Sequence, residues 1–210
     1  MAMNIGTRKI VVDEAIAQLR IYAESNGAVL QYYDGLPGFT NVGGSDPSRV
    51  TLEDLARTMV IGSDLRALDI PWLLEVDAEK EFAAVPVDAR LEDAAPGSAL
   101  FEAAMELDEK FSGHRGFGQA KKSKLLHLKR PFLFPVSDSF IRMTYTNASA
   151  GAELLGAVHA DLVNPANVRD FKLLQVRLNA EPPTSAARLL GDAPTLRLLD
   201  ILASLLGEAK

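Results

Sequence analysis

The 210-residue chain contains no cysteine. This absence excludes a disulfide framework, a thiolate nucleophile and a zinc or iron–sulfur site held by cysteine. Long apolar runs are also lacking: the start has no signal-peptide core, and no stretch approaches the roughly 18 apolar residues of a membrane span. We therefore expect a cytoplasmic protein with no membrane partner, and the sequence indicates neither a metal ion nor another cofactor.

Strand patterns are scarce as well, since no apolar–polar alternation exceeds about five residues. Apolar residues recur instead at helical spacing, as Ala15, Leu19 and Tyr22 do in a first helix predicted from Val11 to Asn26. A hydrophobic fraction of 48% suits an ordinary globular core. The sequence predicts an all-α fold: a single helical domain over residues 1–210, with a central helix-hairpin-helix-like element.

Turn residues divide the chain into its elements. A long loop is predicted at about residues 28–50, with a short extended piece at 29–33. Thr51 and Asp54 form a capping-box pattern that opens a helix with Leu52, Leu55, Met59 and Val60 on one face. Further amphipathic helices are predicted at residues 98–112, 152–163 and 166–178 and after Pro194.

The charges are unevenly distributed along the chain. The net charge of −6 argues against a protein that coats nucleic acid nonspecifically. Residues 1–113 carry 9 basic and 20 acidic side chains, whereas residues 114–142 carry 7 basic side chains and only Asp138. This basic cluster forms an anion-facing patch only if acidic segments do not fold over it, and the sequence leaves both outcomes open.

A glycine turn at Gly113, Gly116 and Gly118 leads into the lysine-rich helix. Free amides and the positive dipole end at such a helix start attract anions, and glycine lets a phosphate approach closely. Because glycines also form tight turns between helices, a plain turn is the alternative. The segment at 113–142, hairpin and basic helix together, is the predicted functional region.

Several side chains are candidates for contact with nucleic acid. Lys121, Lys122 and Lys124 point in different directions around their helix, so two or three cations can face a common partner; a solvated surface is the alternative. Tyr32 and Tyr33 are candidates for stacking on a base, or for anchoring the loop on the core. The candidate nucleic-acid-binding residues are His114, Arg115, Gly116, Gly118, Lys121, Lys122, Lys124 and Arg142.

The order helix, Gly-x-Gly turn, helix, Pro135-Val136-Ser137-Asp138 and a further helix resembles the helix-hairpin-helix DNA glycosylases of base excision repair. The resemblance covers about 45 residues. It implies that Gly116 and Gly118 hold a DNA phosphate and that Asp138, 20 positions after Gly118, is the catalytic residue. Such an aspartate stabilises the sugar cation or orients a water molecule during N-glycosidic hydrolysis.

Two observations limit what this resemblance implies. Ala120 occupies the position at which lyase-type members carry a nucleophilic lysine, so a Schiff-base mechanism is not expected. Asp138 also follows Ser137 at a helix start, where an aspartate commonly serves as an N-cap for free backbone amides. A structural cap therefore remains the alternative to a catalytic role.

A second resemblance spans about residues 32–204. The motifs YDG, LEDLA, SKLL, KRPFLFPVSDS and LRLLDILAS are similar to a bacterial family of unknown function. Two functional hypotheses follow. The first is a nucleic-acid-binding protein, with DNA favoured, that uses Asp138 for glycosylase-like hydrolysis. The second is a noncatalytic regulatory module that binds an acidic protein partner or DNA through the same helix.

Overall fold

The computed structural model describes residues 2–35, 46–146, 148 and 151–209. The expected all-α fold is confirmed: the described chain is mostly helical and carries a single two-stranded sheet. The predicted long loop falls partly outside the described residues, at 36–45. The elements in chain order are β1 (Ala2–Ile5), β2 (Arg8–Val11), α1 (Val12–Ser25), α2 (Leu52–Val60), α3 (Asp69–Glu75), α4 (Glu79–Ala84), α5 (Ala99–Lys110), α6 (Gln119–Lys129), α7 (Ser139–Thr144), α8 (Ala152–Val163), α9 (Pro165–Asn179) and α10 (Thr195–Glu208).

The antiparallel hairpin of β1 and β2 was not predicted. Its four-residue strands pair Ile5 with Arg8 across a two-residue turn, in which Gly6 has φ of +56°. A side chain at Gly6 would also overlap the backbone of Thr144. Met3, Ile5 and Ile10 are buried, so the hairpin closes one side of the helical core.

Helix α10 lies at the centre of the molecule. Leu196, Leu198, Leu199 and Leu202 are at most 1% exposed and belong to one contiguous apolar core. Helix α7 packs directly on α10, because Gly207 leaves room for the backbone of Phe140. This contact brings the start of α7, and with it Asp138, against α10.

Helix α2 begins as predicted but turns a different face inward. Thr51 and Asp54 form the reciprocal capping box. Leu55 is buried, whereas Leu52, Met59 and Val60 are 65%, 57% and 39% exposed, so the predicted apolar face is wrong for those three residues. Asp54 is buried instead, because its carboxylate pairs with a lysine of α6. Residues 29–33, predicted to be extended, form a helical turn.

No helix among the described residues combines the length and hydrophobicity that crossing a bilayer requires. Within the same residues, no group of three or more histidine, aspartate or glutamate side chains is arranged to hold a metal ion.

Candidate active site

The acidic first half of the chain folds over the basic helix α6. Lys122 binds the carboxylate of Asp108 at 2.5 Å and the hydroxyl of Ser112 at 2.8 Å. Lys129 binds Asp54 at 2.9 Å, and both side chains are fully buried. Burial lowers the pKa of Lys129, while the hydrogen bond and charge of Asp54 oppose that shift. These two ammonium groups are bound internally, so they do not contribute to a surface patch.

Arg130, which follows α6, is buried without a carboxylate partner within the described chain. Its guanidinium donates hydrogen bonds to the backbone carbonyls of Pro47, Phe82 and Val85. Burial lowers its pKa to about 10. Arg130 therefore ties α6 to the segments around α4, which is a structural role.

Asp69 binds the basic side chains nearest the glycine turn. Its carboxylate is fully buried and accepts hydrogen bonds from Arg66 at 2.6 Å and from Lys121 at 3.0 Å. The Nε2 atom of His114 lies 3.4 Å away. The hydrogen bonds from Arg66 hold the pKa of Asp69 far below its usual value. One carboxylate thus faces two basic side chains and one histidine, and the charge of Asp64 also acts on Arg66, so acidic side chains neutralise much of the positive charge at this corner.

Contacts from Trp72 and Arg66 fix the conformation of the glycine turn. The ring of His114 stacks on Trp72, with centroids 4.3 Å apart. Arg66 donates a hydrogen bond to the carbonyl of Arg115, and its guanidinium lies where a side chain at Gly116 would stand. Gly116 has φ of +84°, which favours glycine. The side chain of Arg115 remains exposed.

Asp138 lies in the wall of a cleft of about 260 Å³, which we call the Asp138 cleft. It is bounded by α1, α6, α7, α10 and the end of α2. Its lining residues are Tyr22, Asn26, Val29, Val60, Ile61, Lys124, Val136, Asp138, Ile141, Arg197, Asp200, Ile201 and Ser204.

Asp138 is both a helix cap and a wall of this cleft. Its Oδ1 atom accepts the backbone N–H of Ile141 at 2.8 Å, and Oδ2 accepts the hydroxyl of Ser204 at 3.3 Å. The structural alternative drawn from the sequence is therefore correct. It does not exclude the chemical one, because the residue is partly exposed and two neutral donors orient its carboxylate beside the cleft.

Asp200 supplies a second carboxyl group to the cleft. It is 1% exposed, and its Oδ2 atom accepts the backbone N–H of Val136 at 3.0 Å. Its Oδ1 atom has no hydrogen-bond partner among the described residues. Burial raises the pKa of Asp200 well above its usual value, although the nearby charge of Arg197 opposes this shift. The cleft therefore combines two carboxyl groups in unlike environments.

Arg197 lies in the same wall, where the carboxylate of Asp34 balances its positive charge. Its guanidinium makes a bidentate pair with Asp34, at 2.9 and 3.2 Å, and also donates to the hydroxyl of Tyr22 at 3.2 Å. Burial raises the pKa of Asp34, and the charge of Arg197 opposes that rise. This buried pair fixes the turn at residues 29–33 against α10.

His127 and Tyr33 lie behind this wall. Their rings stack with centroids 5.9 Å apart. The hydroxyl of Tyr33 donates to the carbonyl of Lys124 at 2.8 Å, and Nδ1 of His127 lies 2.7 Å from the carbonyl of Phe134. Burial lowers the pKa of His127 to about 3, so the ring is neutral and donates from Nδ1.

Lys124 lies between the cleft and the hairpin. It lies three residues after Lys121, so both side chains project from one side of α6. Its ammonium donates to the carbonyl of Gly62 at 3.1 Å. Burial lowers the pKa of Lys124, while the charge of Asp138 raises it. The cleft and the hairpin therefore lie along the same face of α6.

Two larger grooves are weaker candidates for a functional site. One, of about 590 Å³, includes Arg90, Phe132 and Lys172, and the other, of about 420 Å³, includes Tyr145 and Asp161. Neither is lined by a buried side-chain polar atom that lacks a partner within the described part of the chain. The Asp138 cleft is therefore the better candidate for a functional site.

The structure brings only part of the predicted residues together. His114, Arg115, Gly116, Gly118 and Lys121 meet at the hairpin corner, and Lys124 and Asp138 meet at the cleft. Lys122 is internal, so it cannot contact nucleic acid without breaking its pair with Asp108. Tyr33 is 1% exposed and not free to stack on a base, whereas Tyr32 is 58% exposed. Arg142 is exposed on α7.

Sequence reasoning missed the contribution of α10. Arg197, Asp200 and Ser204 recur at intervals of three and four within the leucine-rich sequence of this helix. Polar residues at that spacing mark a polar stripe on an otherwise apolar helix. This pattern, together with the burial that the leucines imply, could have identified Asp200. Arg66 left no comparable signal, because its contact with the hairpin spans 49 positions.

Comparisons with known proteins identify the family. No curated protein and no solved structure matches the chain at a significant level. The resemblance to helix-hairpin-helix glycosylases is therefore not confirmed and stays a prediction. A family of unknown function, DUF6308, matches residues 15–207, which include most of α1, all of α2 to α9, nearly all of α10 and every lining residue of the Asp138 cleft. The chain belongs to the DUF6308 family.

Proposed function

We propose that this protein binds nucleic acid at the hairpin and hydrolyses an N-glycosidic bond in the Asp138 cleft. The observation that carries the proposal is the position of Asp138, whose oriented carboxylate borders a cleft that also contains the buried carboxyl of Asp200. N-glycosidic hydrolysis develops positive charge on the sugar, and a fixed carboxylate stabilises that charge.

The size of the cleft supports a single flipped nucleotide as the occupant. Pockets for drug-sized ligands span about 300–1,000 Å³, so a cleft of about 260 Å³ is small. Enzymes that act on a base within a strand rotate one nucleotide into such a pocket. Val29, Val60 and Ile201 give the cleft apolar walls that suit the faces of a base.

The hairpin corner supports contact with the phosphate backbone. Arg66, Lys121 and the exposed Arg115 lie around the turn that leads into α6. Glycine at the turn and free amides at a helix start suit a phosphate. Because Lys121 and Lys124 lie three positions apart on α6, we expect a strand held at the hairpin to continue toward the Asp138 cleft.

Base release from a panel of oligonucleotides tests the proposal. Each single-stranded or duplex probe carries one altered nucleotide: deoxyuridine, deoxyinosine, 3-methyladenine or 8-oxoguanine. The protein should release at least one of these bases and leave an abasic site, and Asp138→Asn should abolish release. Asn is also a good helix cap, so this variant keeps the start of α7. Asp88→Asn, which changes an exposed carboxylate, is the control.

Release of no base from any probe would rule out hydrolysis on this panel. Release that persists in Asp138→Asn would remove the assigned role of Asp138. Binding without release, with an affinity that falls steeply as salt rises, would leave a nucleic-acid-binding protein with no demonstrated reaction.

A further inference from the structure

The unpartnered oxygen of Asp200 points to a role in ligand recognition. Asp200 lines the Asp138 cleft and is 1% exposed, and its Oδ1 atom has no hydrogen-bond partner among the residues that the structure describes. A buried polar atom left without a partner destabilises the folded chain. A ligand that enters the cleft and bonds to Oδ1 removes this destabilisation.

The charges around Asp200 indicate its protonation state. Three carboxyl groups face one another here, those of Asp34, Asp138 and Asp200, and three cations, Arg197, Arg57 and Lys124, accompany them. Both oxygens of Asp34 are held by Arg197. Asp200 is the most deeply buried of the three carboxyls, and no lysine or arginine of the described residues forms a salt bridge with it.

The remaining neighbours of Asp200 are neutral. Nδ1 of His127 lies 3.7 Å from Oδ2 of Asp200 but 2.7 Å from the carbonyl of Phe134, to which it donates. Burial lowers the pKa of His127 to about 3, and burial raises the pKa of Tyr22 and Tyr33. Burial is also the main cause of the raised pKa of Asp200, so this carboxyl holds its proton at pH values where an ordinary aspartate has lost it.

We infer that Asp200 recognises the base that enters the Asp138 cleft, by donating a hydrogen bond from its neutral carboxyl to a ring nitrogen or carbonyl oxygen of that base. The inference rests on the proposed function, which supplies a nucleobase as the occupant. Asp200 then binds the hydrogen-bond acceptors on the edge of a purine or pyrimidine. Asp138, on the adjacent wall, faces the sugar of the same nucleotide in this proposal.

Calorimetric titration with free bases tests this assignment. Adenine, hypoxanthine, uracil and thymine are titrated into the full chain, into Asp200→Asn and into Asp200→Leu. Asn keeps a hydrogen-bond donor, so Asp200→Asn should bind the preferred base within about threefold of wild type. Asp200→Leu removes the donor and should bind about tenfold more weakly or worse.

The pH dependence separates recognition from mere structural support. Wild-type affinity should be constant while Asp200 holds its proton and should fall as pH rises through the raised pKa, whereas Asp200→Asn should show no such fall. Affinity that rises with pH would overturn the inference, because it would indicate an ionised acceptor. Equal binding by wild type and Asp200→Leu would also overturn it, as would a wild-type protein that binds none of the four bases.

The failure of this inference differs from the failure of the proposed function. Base binding that depends on Asp200, with no cleavage of any oligonucleotide, would refute the hydrolysis alone. Cleavage that depends on Asp138 and is unchanged in Asp200→Leu would refute the role of Asp200 alone. Asp200→Leu is checked by circular dichroism, and if it does not fold, the pH profile of Asp200→Asn decides.

Discussion

Replacement of Asp200 by asparagine should change how the stability of the fold depends on pH. The folded-state pKa of Asp200 is raised well above 3.8 by burial, so above about pH 4 the folded chain holds a proton that the unfolded chain has released. The free energy of unfolding of the wild type therefore falls with rising pH, by up to about 1.4 kcal/mol per pH unit from this group. Asp200→Asn lacks this term, so its stability relative to wild type should rise with pH up to the raised pKa.

His127→Gln should show the opposite trend. The pKa of His127 falls from 6.5 to about 3 on folding, because the ring is buried. Below pH 6.5 the unfolded chain binds a proton that the folded chain does not, so wild-type stability falls as pH falls. Relative to wild type, His127→Gln should therefore gain up to about 1.4 kcal/mol for each pH unit lost, or about 4 kcal/mol near pH 3.5.

The two variants together form a strict test, since their slopes have opposite signs from about pH 4 up to pH 6.5 or the raised pKa of Asp200, whichever is lower. Urea unfolding followed by circular dichroism, repeated across this range, measures the free energies. Subtracting the free energy of unfolding of the wild type from that of each variant removes the contribution of groups that titrate elsewhere in the chain. Asp88→Asn reports the effect of removing one surface carboxylate. Slopes of the same sign, or an Asp200→Asn curve parallel to wild type, would refute the charge assignment within the cleft.

Three further predictions concern stability and binding. Lys129→Met should cost about 3–5 kcal/mol in the free energy of unfolding because it leaves Asp54 buried and unpaired, and adding Asp54→Asn should restore most of that loss in a urea melt. Asp138→Ala should lower stability by about 1 kcal/mol through the lost cap of α7, whereas Asp138→Asn should stay close to wild type in the same measurement. Arg115→Gln should reduce the salt dependence of oligonucleotide binding by about one phosphate contact in a fluorescence titration, with Arg49→Gln as the control.

Strongly periodic elements were predictable from the sequence. Helix α8 has the predicted bounds, and the predicted helix at 98–112 corresponds to α5, because its apolar stripe and the Ser98 cap agree. Asp138 was identified as a candidate from the resemblance to helix-hairpin-helix glycosylases and as a helix cap from its place after Ser137, and its contact with Ile141 confirms the cap. Local patterns were sufficient where local interactions determine the structure.

Interactions between distant segments were not predictable. Lys129 and Asp54 pair across 75 positions, and Lys121 and Asp69 pair across 52. A charge count shows an excess of cations in residues 114–142 but not which of them acidic segments will neutralise. The N-terminal hairpin was missed for a different reason: its four-residue strands are too short to establish an alternating pattern.

The central claim is that Asp138 stabilises positive charge on a sugar in the cleft. Its most direct test compares two DNA strands that differ at one site, where one carries a cationic pyrrolidine in place of the sugar and the other a neutral tetrahydrofuran. Wild type should bind the cationic strand about 100-fold more tightly, as an enzyme binds a transition-state mimic, and Asp138→Asn should lose that preference. Equal affinity of the wild type for both strands would contradict the claim.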